Sequence, residues 1–187
     1  MHSTTESPRF VRPTVLRASI GGGVGGLLGA LLFGLLIWVN SPDVFADSIP
    51  LFYGLESAVI TGWILHLLHG TVLGIVFAII ATRPLVFDTI TEPVETDILK
   101  GLSGSSRFGL LGLVYGIAIW TIIPFLGLSI LGSLEPINEV GFPGAAIDMI
   151  IGHVIFGIIV GVSFSSVVPA RTDRLEASAT SGNARDF

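Results

Sequence analysis

The sequence predicts an all-α membrane protein: four transmembrane helices, arranged as a tandem duplication of a two-helix unit, with both termini cytoplasmic. Three observations carry that prediction. The first is apolarity. Hydrophobic residues make up 51% of the 187 and charged residues only 12%, with a mean hydropathy of +0.85, whereas soluble domains carry about 25% charged residues. Backbone amides in lipid must be satisfied within their own segment, so long apolar runs without alternation read as helices rather than barrel strands.

The second observation is where the basic residues fall. Arg9, Arg12 and Arg17 precede the first apolar run, Arg83, Lys100 and Arg107 lie between the second and third, and Arg171, Arg174 and Arg185 follow the fourth. The two remaining connections carry none, and have Asp43, Asp47 and Glu56 in one and Glu135, Glu139 and Asp148 in or near the other. The positive-inside rule therefore puts both termini and the central loop in the cytoplasm.

The third is an internal repeat. Gly34, Trp38 and Pro42 recur 82 positions on as Gly116, Trp120 and Pro124, and His66, Gly70 and Gly74 recur 87 positions on as His153, Gly157 and Gly161. Glycine is frequent, with 24 copies, but the chain has only 3 Trp and 4 His, so agreement at the rare residues marks a duplication.

In chain order, residues 1–16 are polar with Pro8 and Pro13 and read as a cytoplasmic tail. Repeat 1 covers 17–81, with helices at about 18–39 and 57–81. Each is near the roughly 20 residues that cross about 30 Å of hydrocarbon. The first apolar run is too long for a signal-peptide core and lacks a cleavage site after it, so it reads as a retained helix. Residues 82–106 form a charged, Ser- and Gly-containing linker, with one amphipathic turn expected near Val94 to Leu102. Repeat 2 covers 107–169, with helices at about 108–131 and 145–168, and 170–187 form a second tail. Val44-Phe45, Ile49 to Leu55 and Phe125 to Leu134 are too apolar for free loops and too short to span, which predicts interfacial or re-entrant segments packed on the bundle.

Arg107 resists the repeat. Trp38 lies 21 residues beyond Arg17 and Trp120 only 13 beyond Arg107, so either the third helix starts nearer Gly101 with Arg107 snorkelling, or the copies have drifted in depth.

Glycine spacing marks helix packing. Gly21, Gly25 and Gly29 form one ridge at steps of four, and Gly22, Gly26, Ala30 and Gly34 a second beside it; with Gly70, Gly74, Gly157 and Gly161 they allow close helix approach, within the chain or between copies. A phosphate-cradling loop would need a strand and a lysine, and neither accompanies these glycines.

His66, His69 and His153 are the candidate intramembrane polar site, with Gly62, His66, Gly70 and Gly74 on one helical face and Met149, His153, Gly157 and Gly161 on another. The repeat places His66 and His153 at one depth, and three readings fit them. They are neutral imidazoles hydrogen-bonded across helix interfaces; or a proton or small-solute pathway, making the chain a minimal transporter; or paired ligands of a haem or metal ion in an electron carrier. Against haem stand the single symmetric pair and the absence of a basic residue beside it. No cysteine is present, which excludes disulfides and thiolate chemistry. Ser57, Ser129, Ser163, Ser165 and Ser166 sit in apolar context without a nucleophile elbow. The sequence thus predicts no enzyme and no nucleic-acid partner. Its expected partners are the lipid bilayer and further copies of itself or a membrane complex. Acidic residues with 8 Arg and a single Lys suit a salt-adapted prokaryote.

The stretches Trp63 to Gly74, Arg107 to Gly116 and Gly152 to Gly161 resemble an uncharacterised family of small prokaryotic four-helix membrane proteins, similar to the YagU-type inner-membrane proteins. That resemblance covers about half the chain and implies the fold and a membrane location, with no activity attached.

Overall fold

The computed structural model describes residues 10–91, 101–131 and 147–169, the side chains at 123–131 and 147–148 excepted. Among them the elements are all helical, without a β-strand: α1 (Val15–Asn40), a π-helical turn (Val44–Ser48), α2 (Ile49–Phe52), α3 (Val59–Ala81), α4 (Pro84–Thr91), α5 (Gly104–Leu131) and α6 (Ile147–Ser165). Three helices are long and apolar enough to cross a membrane: α1, α3 and the Gly104–Ile122 part of α5. The fourth expected crossing, α6, has 19 residues and is equally apolar in character; its Met149–Ser165 portion is shorter than a full span.

Local signals set the helix ends. Thr14 caps α1, its hydroxyl accepting the Arg17 N–H at 3.4 Å, and at the far end Asn40 Nδ2 donates to the Leu36 carbonyl at 2.7 Å before Pro42 stops the run. Each glycine inside α1 costs about 0.5–1 kcal/mol of helix propensity relative to alanine. Packing that brings helix backbones together offsets this.

Both small-residue ridges of α1 are used within the chain, one for each neighbouring helix. Gly22, Gly26, Ala30 and Gly34 face α3: a methyl group on Gly22 would meet the Gly74 carbonyl and Ala78, one on Gly26 would meet Gly70 and Gly74, and one on Gly34 would meet Trp63 and His66. Gly21, Gly25 and Gly29 face α6, against Val167, Ser163 with Val160, and Phe156. Helix α5 then packs on the other side of α6 through Gly112 and Gly116. α3 and α5 approach each other only sparsely, as do α3 and α6.

The two helix pairs share a packing register. Gly26 with Gly74, Ala30 with Gly70 and Gly34 with His66 join α1 to α3; 82 and 87 positions on, Phe108 with Gly161, Gly112 with Gly157 and Gly116 with His153 join α5 to α6. Phe77 and Phe164, also 87 apart, meet edge to face at 5.7 Å.

The segment after α1 behaves as its composition predicts. Phe45 is fully buried, lies against Gly62 and stacks on Trp63 at 4.4 Å. The end of the molecule richest in arginine differs from expectation. Residues 10–14, expected to be part of a tail, pack on the base of the bundle: Val11 N–H donates to the Pro169 carbonyl at 3.0 Å, Phe10 covers Gly104, and Arg12 pairs with Asp88 at 3.6 Å. The expected linker opens with helix α4, whose Phe87 is buried and faces Phe108 at 6.1 Å. Apolar residues at Val86, Phe87 and Ile90 among the polar ones give it a face to bury, while Leu85 points outward. Helix α5 starts at Gly104, close to the earlier of the two starts considered, and Arg107 in its first turns donates to the Ile90 carbonyl at 3.3 Å. Most of the turn expected near Val94 to Leu102, the apolar stretch beyond Leu131 and the 170–187 tail lie outside the described residues.

Candidate functional site

His66 sits on α3 one turn beyond Gly62, on the face that meets α1. Its Nε2 lies 2.9 Å from the Ala30 carbonyl; since a carbonyl only accepts, this nitrogen carries the proton. His153 on α6 places Nδ1 2.7 Å from the Met149 carbonyl one turn earlier, so there it is Nδ1 that carries the proton and donates. Both imidazoles are half-buried.

Phe33 of α1 touches both rings. Its centroid lies 5.5 Å from that of His66 and 4.7 Å from that of His153, edge to face in each case, and its ring also fills the space a side chain on Gly152 would need. The two histidines that the repeat pairs are thus brought to opposite sides of one phenylalanine. A single ion or haem iron ligated by both would require that ring to be displaced. Among the described residues no group of three or more His, Asp or Glu could hold a metal ion.

His69 is not part of this cluster. Although only three residues from His66, it is exposed, stacks on Tyr53 at 5.5 Å, and its Nε2 accepts the Tyr53 hydroxyl proton. Burial raises the Tyr53 phenol above its ordinary value, which keeps that donor protonated. Around His66 the aromatic packing continues through Phe45 at 5.2 Å and Trp63 at 6.3 Å; Trp38 adds to it through Phe45 at 6.1 Å.

Serine hydroxyls near the opposite end bond to helix carbonyls. Ser165 donates to the Val162 carbonyl at 2.7 Å and lies 3.1 Å from Ser105, while Ser166 donates to the Ser163 carbonyl at 2.7 Å. Tyr115 donates to the Leu73 carbonyl at 2.6 Å, across from α5 to α3, with its ring 5.2 Å from Phe77.

Sequence reasoning singled out neither Phe33 nor Tyr115. Both had a signal: Phe33 continues the Gly21, Gly25, Gly29 ridge by one more step of four, and Tyr115 is its counterpart 82 positions on. The geometry defines an apolar helical bundle with membrane-length helices and a histidine–phenylalanine–histidine cluster. No protein-family model matches the sequence, and neither a curated protein nor a solved structure matches it.

Proposed function

We propose that the chain is a non-enzymatic integral membrane protein that crosses the bilayer four times, with its termini and the 82–106 linker in the cytoplasm. In this reading it works as a self-associating unit or as a subunit of a larger membrane complex. The observation that carries it is the disposition of His66 and His153: each imidazole is tied to a backbone carbonyl and both rest on Phe33. His66 thereby bonds across the α1–α3 interface, while His153 is satisfied within α6 and meets α1 through Phe33, an arrangement that serves helix packing. The four crossings draw support from the apolar length of α1, α3 and α5 and the matching composition of α6. The duplication draws support from the contacts that recur at offsets of 82 and 87.

The acidic, lysine-poor composition supports a salt-adapted prokaryotic source, and the likeness to YagU-type proteins, resting on Trp63 to Gly74, Arg107 to Gly116 and Gly152 to Gly161, belongs to the same proposal. Because the α1 ridges are consumed inside the bundle, association between copies would use the Leu-, Ile- and Val-rich outer faces. Light scattering on the protein extracted from its native membrane in mild detergent tests the assembly: a mass above one chain is expected. A lone chain at every detergent concentration would overturn it.

A further inference from the structure

Residues 10–14 make contacts that a tail would not. Within five residues they bond the carbonyl of Pro169 after α6, place the Phe10 ring on Gly104 at the start of α5, pair Arg12 with Asp88 of α4 and cap α1 through Thr14. Four helices are therefore joined at one end by a short extended segment.

The joint matters because of where the bundle is loosest. α3 and α5 make few contacts, with Tyr115 bonding Leu73 between them. At their arginine-bearing ends they are linked through α4, which leaves α3 after Thr82 and Arg83 and reaches α5 through Phe87 on Phe108 and Arg107 on Ile90. Asp88 lies on that bridging helix. Arg12 and Asp88 are each nearly half exposed, at 46% and 45%, so mobile ions reach the pair. Raising salt from about 0.1 M to 1 M shortens the screening length from about 10 Å to about 3 Å.

We propose that the Phe10–Thr14 segment is a strap latched by the Arg12–Asp88 pair, and that its release by salt loosens the α3–α5 edge of the bundle. The Phe10 ring on Gly104 supplies the part of the latch that salt leaves intact, and the charge pair sets how often the strap lifts.

The chain contains no cysteine, so a single introduced thiol reports cleanly. In full-length protein in lipid nanodiscs, Val11→Cys is labelled with a charged maleimide, and Leu85→Cys, at a site 82% exposed, serves as the open reference. The thiol at position 11 should react more slowly than that at 85 in low salt. Adding Arg12→Gln should speed it about two- to fivefold, the range of a half-exposed ion pair. Sodium chloride at about 1 M, enough to screen such a pair, should speed the Arg12 form similarly and leave the Arg12→Gln form unchanged. The reversed pair Arg12→Asp with Asp88→Arg should restore slow labelling. Equal rates at positions 11 and 85, or equal rates with and without Arg12, would overturn the latch. Spin labels on cysteines introduced at Val72 and Val114 read the coupling: their distance distribution should broaden with Arg12→Gln and with sodium chloride at about 1 M. An unchanged distribution would overturn the link to the α3–α5 edge.

Discussion

Neighbouring glycines on α1 should respond to the same substitution with opposite signs. On Gly26 a methyl group would lie 2.9 Å from the Gly74 Cα and 3.0 Å from the Gly70 carbonyl carbon, where ordinary carbon contacts are about 3.5–4.0 Å. These are backbone atoms, so the relief is for α1 and α3 to separate by a sizeable fraction of an ångström. Overpacking of this kind costs about 1–3 kcal/mol. On Gly23 the nearest atoms are side-chain carbons of Ile75 at 3.4 and 3.7 Å and of Thr71 at 3.8 Å, which is ordinary contact. Both substitutions recover about 0.5–1 kcal/mol of helix propensity. Gly23→Ala should therefore be neutral or stabilising, and Gly26→Ala destabilising by about 0.5–2 kcal/mol net. With about 2–4 °C per kcal/mol for a chain of this size, the overpacking cost of about 1–3 kcal/mol should separate the two melting points by roughly 2–12 °C. Thermal unfolding followed by circular dichroism in one mild detergent reads the difference. If Gly26→Ala melted at or above Gly23→Ala, the close approach of α1 and α3 would not be what holds the pair.

Three further outcomes follow from the same contacts. Gly25→Leu or Gly29→Leu should lower stability by at least about 1–3 kcal/mol, because their first neighbours include Val160 and Phe156 backbone atoms; melting curves indistinguishable from the parent would contradict the α1–α6 packing. Phe33→Ala should cost about 3–5 kcal/mol as a buried aromatic truncation, whereas Tyr115→Phe, losing one interhelical hydrogen bond, should cost only about 0.6 kcal/mol; the reverse order in chemical denaturation would refute the central place given to Phe33. Haemin titrated into the purified protein should leave no bis-imidazole visible spectrum, since Phe33 touches both His66 and His153. Appearance of those bands, lost on His66→Ala, would revive the paired-ligand reading.

What could be read from the sequence was what recurs along it. Steps of four put Gly21, Gly25 and Gly29 on one line and Gly22, Gly26, Ala30 and Gly34 on the next, which identifies packing surfaces before any partner is known. Which helix each line meets depends on the arrangement of the bundle, and spacing within one helix carries no such information. The repeat predicts equal depth for His66 and His153, but their separation across Phe33 depends on α1 having neighbours on two sides. Residues 10–14 were misread because Pro13 and the polar composition describe an extended segment equally well whether it is free or docked. Contacts such as Phe10 on Gly104 leave no periodic trace. Helix α4 was missed for a related reason: eight residues are too few for a period to stand out beside Pro84 and the acidic run that follows.

The unequal edges of the bundle bear on how such a protein could arise. A two-helix ancestor working as a pair would have held itself together twice over, with each first helix gripping the other copy's second helix. Joining the copies into one chain gives the partners an effective concentration of about millimolar order, so one of the two grips can weaken without the halves parting. The chain carries that asymmetry in its side chains: at the positions 82 beyond Gly21, Gly25 and Gly29 stand Ser103, Arg107 and Leu111. On such a history the α1–α6 grip would have kept its glycines, and the α3–α5 grip, with Arg107 and Leu111 where two of the glycines would be, would have become the weaker of the two.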